Sequence, residues 1–496
     1  MTLREILDAV TTRPPVSEPL ASRRVEGLDY DSRRIGKDFL FFAFSGHYTD
    51  GRRYSLQAVE QGALAVISEL EKPAEFHSAP WFQVEHGRRA LAAAARNFAG
   101  RPDERIALTG ITGTNGKTTT SYLIDSILRV AGRTTALIGT VEYQVGGRRQ
   151  AAVNTTPESL DIYRILSELE ALGGTHATLE VSSHALALGR VSGMNFHTAI
   201  FTNLTRDHLD FHKDMESYFA AKCLLFSGPP APRFAVLNAD DEYSRRIPLD
   251  AGTEPVYYSI GRNGNGRTLR AGNVRGGFEG LRFEIRVGQE MIPVESALVG
   301  EINVYNILAA AAAAASHGLD WDTIARGIAA CKGVPGRFER VDEGQPFLVV
   351  VDYAHTDDAL RNMISVARGL SPKRVITLFG CGGDRDRSKR PLMGSAAASS
   401  SDFVVLTSDN PRSEDPLAII NDALVGLGRH DTPHQIEVDR EKAIRRAIEE
   451  AGPGDIVIIA GKGHEPYQVL KDRTIAFDDR EIARAVLRGF GYGRKS

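Results

Sequence analysis

The stretch Thr109-Gly-Ile-Thr-Gly-Thr-Asn-Gly-Lys-Thr-Thr-Thr120 combines the residue types that hold a triphosphate. Its glycines let backbone N–H groups close on phosphate oxygens, and a following helix adds the positive end of its dipole. Lys117 can reach the terminal phosphates, and Thr118 can ligate Mg²⁺. The loop departs from the general pattern at one position. Glycine is wanted five residues before Gly116, and Ile111 stands there, flanked by Gly110 and Gly113. A tight turn before a helix is the plain alternative, but Gly-Lys-Thr between a strand and a helix implies a bound nucleoside triphosphate.

Further polar clusters fall just after apolar runs that read as strands. Glu180-Val-Ser-Ser-His184 closes one run, and Thr202-Asn-Leu-Thr-Arg-Asp-His-Leu-Asp-Phe-His212 closes the next. Both then face the same sheet edge as the phosphate loop, where Glu180 and His208 could offer oxygen and nitrogen ligands to Mg²⁺. Lys222 lies in the apolar helical run Ser217–Phe226, where a buried ammonium is unfavourable unless paired or modified. Taken singly, His184 and His208 read equally as satisfied loop histidines, and Lys222 as a side chain reaching solvent. Later in the chain, Gly380-Cys-Gly-Gly-Asp-Arg385, Asp409-Asn-Pro-Arg412 and Gly461-Lys-Gly-His-Glu465 each follow a strand-like run, where doubly wound sheets place ligands.

The elements that must position these residues suggest three α/β domains. Residues 1–103 form a small N-terminal domain with the strand Phe39–Phe44, the loop Ser45–Arg52, the helix Ser55–Gly62 and the strand Ala63–Ile67. Residues 104–335 form a central domain around the phosphate loop, opened by the strand Ile106–Leu108 and the helix from Ser121. Its strands Thr135–Ile138, Ala177–Val181, Thr198–Thr202 and Phe234–Leu237 alternate with helices, which implies a parallel sheet. From Val256 to Leu298 short strands with glycine turns suggest an antiparallel flank. Residues 336–496 repeat the alternation with Phe347–Asp352, Val375–Phe379, Phe403–Leu406 and Ile456–Ala460, a Rossmann-like doubly wound sheet.

The 496 residues carry a net charge of −3, which offers no electrostatic argument for nucleic acid or a membrane surface. Cys223, Cys331 and Cys381 are far apart, without metal-ligand spacing, and suit a reducing cytoplasm. No signal peptide and no run of membrane length is evident. A soluble, cytoplasmic, monomeric protein is expected.

Taken together, the motifs resemble a family. Thr112-Gly-Thr-Asn-Gly-Lys-Thr-Thr119, Asn154-Thr-Thr-Pro157, Glu180–His184, Asn203–Asp210, Ala220-Ala-Lys222, Asn303-Val-Tyr-Asn306, Gly336-Arg337 and Asp352-Tyr-Ala-His-Thr356 are similar to those of the Mur ligases. These are cytoplasmic ATP-dependent amide ligases of peptidoglycan precursor synthesis, and the similarity runs through all three domains in order. It is greatest to members that add the third peptide residue to UDP-N-acetylmuramoyl-L-alanyl-D-glutamate. The resemblance implies that Gly113, Thr114, Asn115, Gly116, Lys117, Thr118 and Thr119 bind ATP, with Asn303 and Asn306 near adenine, Asp352 at the ribose and Arg337 at the γ-phosphate. It implies that Thr118, Glu180, His208 and a carbamylated Lys222 serve Mg²⁺. It implies that Ser32, Gly46, His47 and Asp50 hold the uridine diphosphate, and that Asn154, Thr155, Thr156, Ser182 and Arg190 hold the muramoyl-dipeptide. Glu301-Ile302 and Asp357 depart from the family pattern beside the nucleotide residues.

Asp409–Arg412 resembles the motif of ligases that take meso-diaminopimelate, with Arg385, Gly461 and Glu465 completing the implied site. The chemistry agrees: Arg412 and Arg385 can grip a distal carboxylate that lysine lacks, while Glu465, Asp409 and Asn410 take the ammonium. Lysine would leave Arg412 desolvated and unpaired. A turn leading into a helix at Asp415-Pro416 is the simpler reading of the same loop. In the implied reaction ATP phosphorylates the acceptor carboxylate, Lys117 and Arg337 stabilise the transferring phosphoryl group, and a neutral amine attacks the acyl phosphate. The alternatives are a lysine-adding or folylpolyglutamate-type ligase, and a nucleotide-dependent switch. A kinase is disfavoured because no base for a hydroxyl acceptor is evident.

Overall fold

In the computed structural model residues 1–46, 50–261 and 267–493 are described. The chain gathers into two compact units. The first comprises Met1–Arg270, Arg286–Met291 and Tyr305–Gly327; the second comprises Ala271–Ile285, Ile292–Val304 and Ile328–Ser496.

The first unit holds two sheets. A small one has four parallel strands, Gly27–Asp29, Phe39–Phe42, Ala63–Ser68 and Trp81–Gln83, in chain order. The helix Gly87–Phe98 follows, with alanines on its buried face. The larger sheet runs Glu254–Ser259, Phe234–Asn238, Phe196–Phe201, Ala107–Thr112, His176–Glu180 and Thr135–Ile138, all parallel. The hairpin Glu142–Val145 and Arg148–Ala151 then adds two antiparallel strands.

Two sequence expectations change here. Glu254–Ser259 pairs parallel with its neighbour, and parallel pairing continues through Thr268–Arg270, so the expected antiparallel flank does not begin at Val256. Alternation reports which side chains are exposed, not strand direction. The strand before the phosphate loop runs to Thr112, and the helix after it begins at Lys117 rather than Ser121. Threonine and glycine obscure both ends, because neither contributes to an apolar period. Just before this strand, Pro102–Glu104 forms a 3₁₀ turn whose Asp103 is buried and paired with Arg96 at 2.8 Å.

The second unit contains a six-stranded sheet in the order Glu339–Val341, Leu348–Asp352, Ile456–Ala460, Val375–Cys381, Phe403–Ser408, His434–Glu437. Only the first pair is antiparallel. Leu348 and Val350 pack in one apolar cluster while Val349 and Val351 pack in another. Both faces are therefore covered by helices, which is why these strands read as unbroken apolar runs. The sequence reading omits the edge strands Glu339–Val341 and His434–Glu437, which carry too few buried residues to stand out.

Candidate active site

The phosphate loop is braced by the segment that ends the neighbouring strand. Thr114 N–H donates to the Asn203 carbonyl at 2.9 Å, Asn115 N–H to Asn203 Oδ1 at 3.0 Å, and the Thr202 hydroxyl to the Asn115 carbonyl at 2.6 Å. Gly116 has φ of +88° and enters the helix Lys117–Val130, and a Cβ there would strike Asn306 Oδ1. Glycine is therefore required both for the turn and for the close approach of Asn306. The first-turn N–H groups of the helix, which lack intrahelical partners, lie at this junction.

Glu180 is fully buried at the end of the adjacent strand and accepts from Thr118 Oγ1 at 3.0 Å, Thr140 N–H at 3.0 Å and Thr140 Oγ1 at 2.9 Å. A carboxylate and a hydroxyl, both oxygen donors, thus meet at the phosphate loop. No group of three or more His, Cys, Asp or Glu among the described residues could hold a metal. The pair suits Mg²⁺, which keeps waters and phosphate oxygens and takes few protein ligands. The ring centroid of His208 is 4.9 Å from that of His184 and 6.2 Å from that of Tyr218. Burial lowers the pKa of His208 and brings His184 to about 4, so both rings stay neutral near pH 7.

Lys222 is 1% exposed, and its Nζ donates to the Gly113 carbonyl at 2.9 Å. Lys117 Nζ donates to the same carbonyl, also at 2.9 Å, and to that of Thr114. Lys222 lies 4.4 Å from the Tyr218 ring centroid. Burial, and then the charge of Lys117, push its pKa well below the ordinary lysine value. The neutral amine, the form that is nucleophilic towards CO₂, is therefore accessible at this position.

The candidate dipeptide residues also gather. Thr156 Oγ1 donates to the Glu180 carbonyl at 2.8 Å and accepts from Ser182 N–H at 3.0 Å, while Thr155 Oγ1 is 3.2 Å from Thr140 Oγ1. Arg190 donates to the Thr156 carbonyl at 2.9 Å and to Glu158 at 3.0 Å. Asn154 is exposed, its backbone joined to the Tyr143 hydroxyl. In the small sheet Ser32 is buried against Gln57, Asp50 caps a 3₁₀ turn, and Gly46 is exposed. His47 lies outside the described residues.

In the second unit Asp352 accepts from Phe338 N–H at 2.7 Å and Ala354 N–H at 2.8 Å, and Arg337 stands 5.5 Å from the Tyr353 ring. Asn303 donates to the Val299 carbonyl at 2.7 Å. The amino-acid candidates form a tighter group. Asn410 Nδ2 donates to Glu465 Oε2 at 2.9 Å, and Lys462, fully buried, donates to Asn410 Oδ1 at 3.2 Å and lies 3.4 Å from Glu465. Gly461 has φ of +118°, and a Cβ there would come within 2.5 Å of Asp409 Oδ2. Burial raises the pKa of Asp409, against the opposing charges of Arg440 and Lys462. A Cβ on Gly382 would lie 3.0 Å from Arg412 Nη1 and 3.7 Å from Arg385 Cγ, so the two arginines flank one glycine.

The sequence reading passes over Thr140, Glu158, Arg88, Lys462 and Arg440. Thr140 had a legible signal, since it follows the strand Thr135–Ile138 at the same sheet edge. Lys462 stands inside the Gly461–Glu465 motif, three residues from its partner Glu465, while Glu158, Arg88 and Arg440 become visible only through partners distant in sequence.

These features define a three-domain α/β protein with a phosphate loop, and known families agree. The Mur ligase family, catalytic domain matches residues 24–99, the Mur ligase middle domain residues 111–314, and the Mur ligase, glutamate ligase domain residues 336–463. The chain belongs to the Mur ligase family. Within it, the chain is 65% identical over 494 residues to the UDP-N-acetylmuramoyl-L-alanyl-D-glutamate–2,6-diaminopimelate ligase of Solibacter usitatus, covering 99% of each. It is 45% identical over 471 residues to the ligase of the same name from Syntrophomonas wolfei, covering 94% of this chain and 95% of that one. A solved structure of a ligase of that name superposes with a TM-score of 0.73 at 32% identity over 99% of both chains. MurF of Thermotoga maritima, solved with ADP, shares the fold with a TM-score of 0.61 at 18% identity, covering 88% of this chain and 94% of that one.

Proposed function

We propose that this chain joins meso-diaminopimelate to UDP-N-acetylmuramoyl-L-alanyl-D-glutamate at the expense of ATP, in peptidoglycan precursor synthesis. The observation that supports it most is the 65% identity, over 99% of both chains, to a ligase of that name. The amino-acid group in the second unit supports the finer assignment. Arg412 and Arg385 beside Gly382 form a cationic seat for a carboxylate, and Glu465, Asn410 and Asp409 form an acceptor seat for an ammonium. Lysine satisfies only the second seat.

The chain's own residues divide the labour as follows. The phosphate loop and the first turn of its helix bind the triphosphate, and Lys117 neutralises the phosphoryl group as it moves. Thr156, Ser182 and Arg190 orient the acceptor carboxylate towards it. Thr118 and Glu180 would hold Mg²⁺, with His208 and carbamylated Lys222 at the same edge. When bound, the metal would neutralise phosphate charge. Burial, and then the charge of Lys117, disfavour a cationic Lys222, and carbamylation turns its neutral amine into an anion that Lys117 attracts. In the second unit Arg337 and Asp352 would serve the γ-phosphate and the ribose. The amine of the incoming amino acid must arrive deprotonated to attack the acyl phosphate, and phosphate leaves. No described helix is long and apolar enough to cross a membrane, and we place the reaction in the cytoplasm, where its nucleotide substrates are made.

The test is phosphate release by the purified protein with ATP, Mg²⁺ and the UDP-linked dipeptide, comparing meso-diaminopimelate with L-lysine. Turnover with diaminopimelate alone is expected. Turnover with lysine would keep the ligase and overturn the roles given to Arg412 and Arg385. Phosphate release that needs no acceptor would overturn the ligase.

A further inference from the structure

Glu158, 8% exposed, stands immediately before the helix Ser159–Ala171. One of its carboxylate oxygens, Oε1, accepts from two guanidinium groups: Arg88 Nε at 3.1 Å and Arg190 Nε at 3.0 Å. The other, Oε2, is buried without a hydrogen-bond partner. A buried carboxylate with an unused oxygen is unfavourable unless the site has another purpose.

The two arginines lead in opposite directions. Arg190 donates to the carbonyl of Thr156, whose hydroxyl joins Glu180 and Ser182 in the candidate dipeptide seat. Arg88, on the helix Gly87–Phe98, donates to the Ser45 carbonyl at 3.3 Å and lies 4.3 Å from the Phe44 ring. Ser45 precedes Gly46, in the loop assigned to the uridine diphosphate. Neighbouring ties keep this geometry fixed: Tyr30 donates to Asp161 at 2.5 Å, and Arg164 pairs with Asp29 at 2.8 Å. Two arginines against one carboxylate leave a net positive charge in a region only 10 to 17% exposed, matched to a substrate that is anionic at both ends.

We propose that Glu158 is a positioning residue, with Arg88 and Arg190 as its arms, that holds the nucleotide-binding and peptide-binding edges of the first unit in one register for a single acceptor molecule. The proposal rests on the acceptor being a nucleotide-linked peptide, as argued above.

Glu158→Gln preserves shape and removes the charge that both arginines share. The variant is expected to weaken binding of the UDP-linked dipeptide, measured by calorimetric titration, by about ten- to a hundred-fold, the scale at which loss of an orienting partner acts. The KM for ATP should stay within about twofold, and Glu158→Asp should recover part of the loss. Wild-type preference for the intact acceptor over the same muramoyl-dipeptide lacking UDP should shrink in the variant. Arg88→Met, which cuts only the nucleotide arm, should weaken the intact acceptor and spare the truncated one, and it stands in if Glu158→Gln fails to fold. Unchanged acceptor binding in both variants, or equal losses for acceptor and ATP, would overturn the proposal. A wild-type protein that does not bind the UDP-linked dipeptide would overturn the underlying reading instead.

Discussion

Arg440 and Asp479 form an ion pair in the second unit in which both side chains are 0% exposed. Arg440 Nε meets Asp479 Oδ1 at 2.8 Å and Nη2 meets Oδ2 at 2.7 Å. The same guanidinium donates to the Ser408 carbonyl at 3.3 Å and the Ala460 carbonyl at 3.0 Å, the residues just before Asp409 and Gly461. Arg440→Met strands a buried carboxylate and frees two strand-end carbonyls. Removing one partner of such a pair costs roughly 3–5 kcal/mol, and each decade of exchange corresponds to about 1.4 kcal/mol, so amide hydrogen exchange across Ile456–Ala460 should accelerate by about two to four decades. Arg440→Met with Asp479→Leu removes both charges, leaving the two lost carbonyl bonds at about 1 kcal/mol each, so roughly a third to three-fifths of the lost protection should return. The double variant should still use diaminopimelate poorly, because the Ser408 and Ala460 carbonyls that precede Asp409 and Gly461 then lose the donor they share. Exchange within one decade of wild type in Arg440→Met, or a double variant as unprotected as the single one, would refute the reasoning.

Three further outcomes follow from other sites. His176, His197 and His317 cluster with ring centroids 5.1 and 4.5 Å apart, and His317 Nε2 is 2.8 Å from the Thr109 hydroxyl. Burial lowers the pKa of His176 to about 4 and of His317 to about 3, with Arg133 and Arg233 nearby. The folded state therefore binds these protons less tightly than the unfolded chain, and the stabilisation, complete above the usual 6.5, is lost as pH falls towards 3. For His317 alone the loss is about 2 kcal/mol by pH 5, and His317→Gln should flatten the denaturant midpoint against pH by that amount; an unchanged slope would contradict it. Gly461→Ala, at φ of +118° and against Asp409, should raise the KM for diaminopimelate with little change in that for ATP, and equal changes in both would place Gly461 outside the amino-acid seat. Lys222→Met should retain ATP binding, measured by titration, and lose nearly all turnover; turnover near wild type would exclude a role for a carbamylated Lys222.

The phosphate loop, the Asp409–Arg412 motif and the strand-helix alternation were legible in the sequence because each is local. A backbone cradle needs its glycines, lysine and threonine within a few consecutive residues, and a strand buried on both faces must be apolar throughout. The depressed pKa of Lys222 was half legible: its apolar helix announced burial, but only the fold brought Lys117 onto the same Gly113 carbonyl. Strand direction at Glu254–Ser259, the hairpin Glu142–Ala151 and the edge strands were not legible, because alternation records exposure while pairing partners are chosen across long separations. Glu158 shows the same limit at the site. It precedes a helix like many surface glutamates, and its place between Arg88, 70 residues before it, and Arg190, 32 residues after it, exists only when two sheets pack. Sequence thus determined which chemistry the chain carries, since that chemistry resides in contiguous motifs. Tertiary structure decided how charges far apart in the chain are set against one another, because a Coulomb interaction depends on distance in space and on the burial that packing creates.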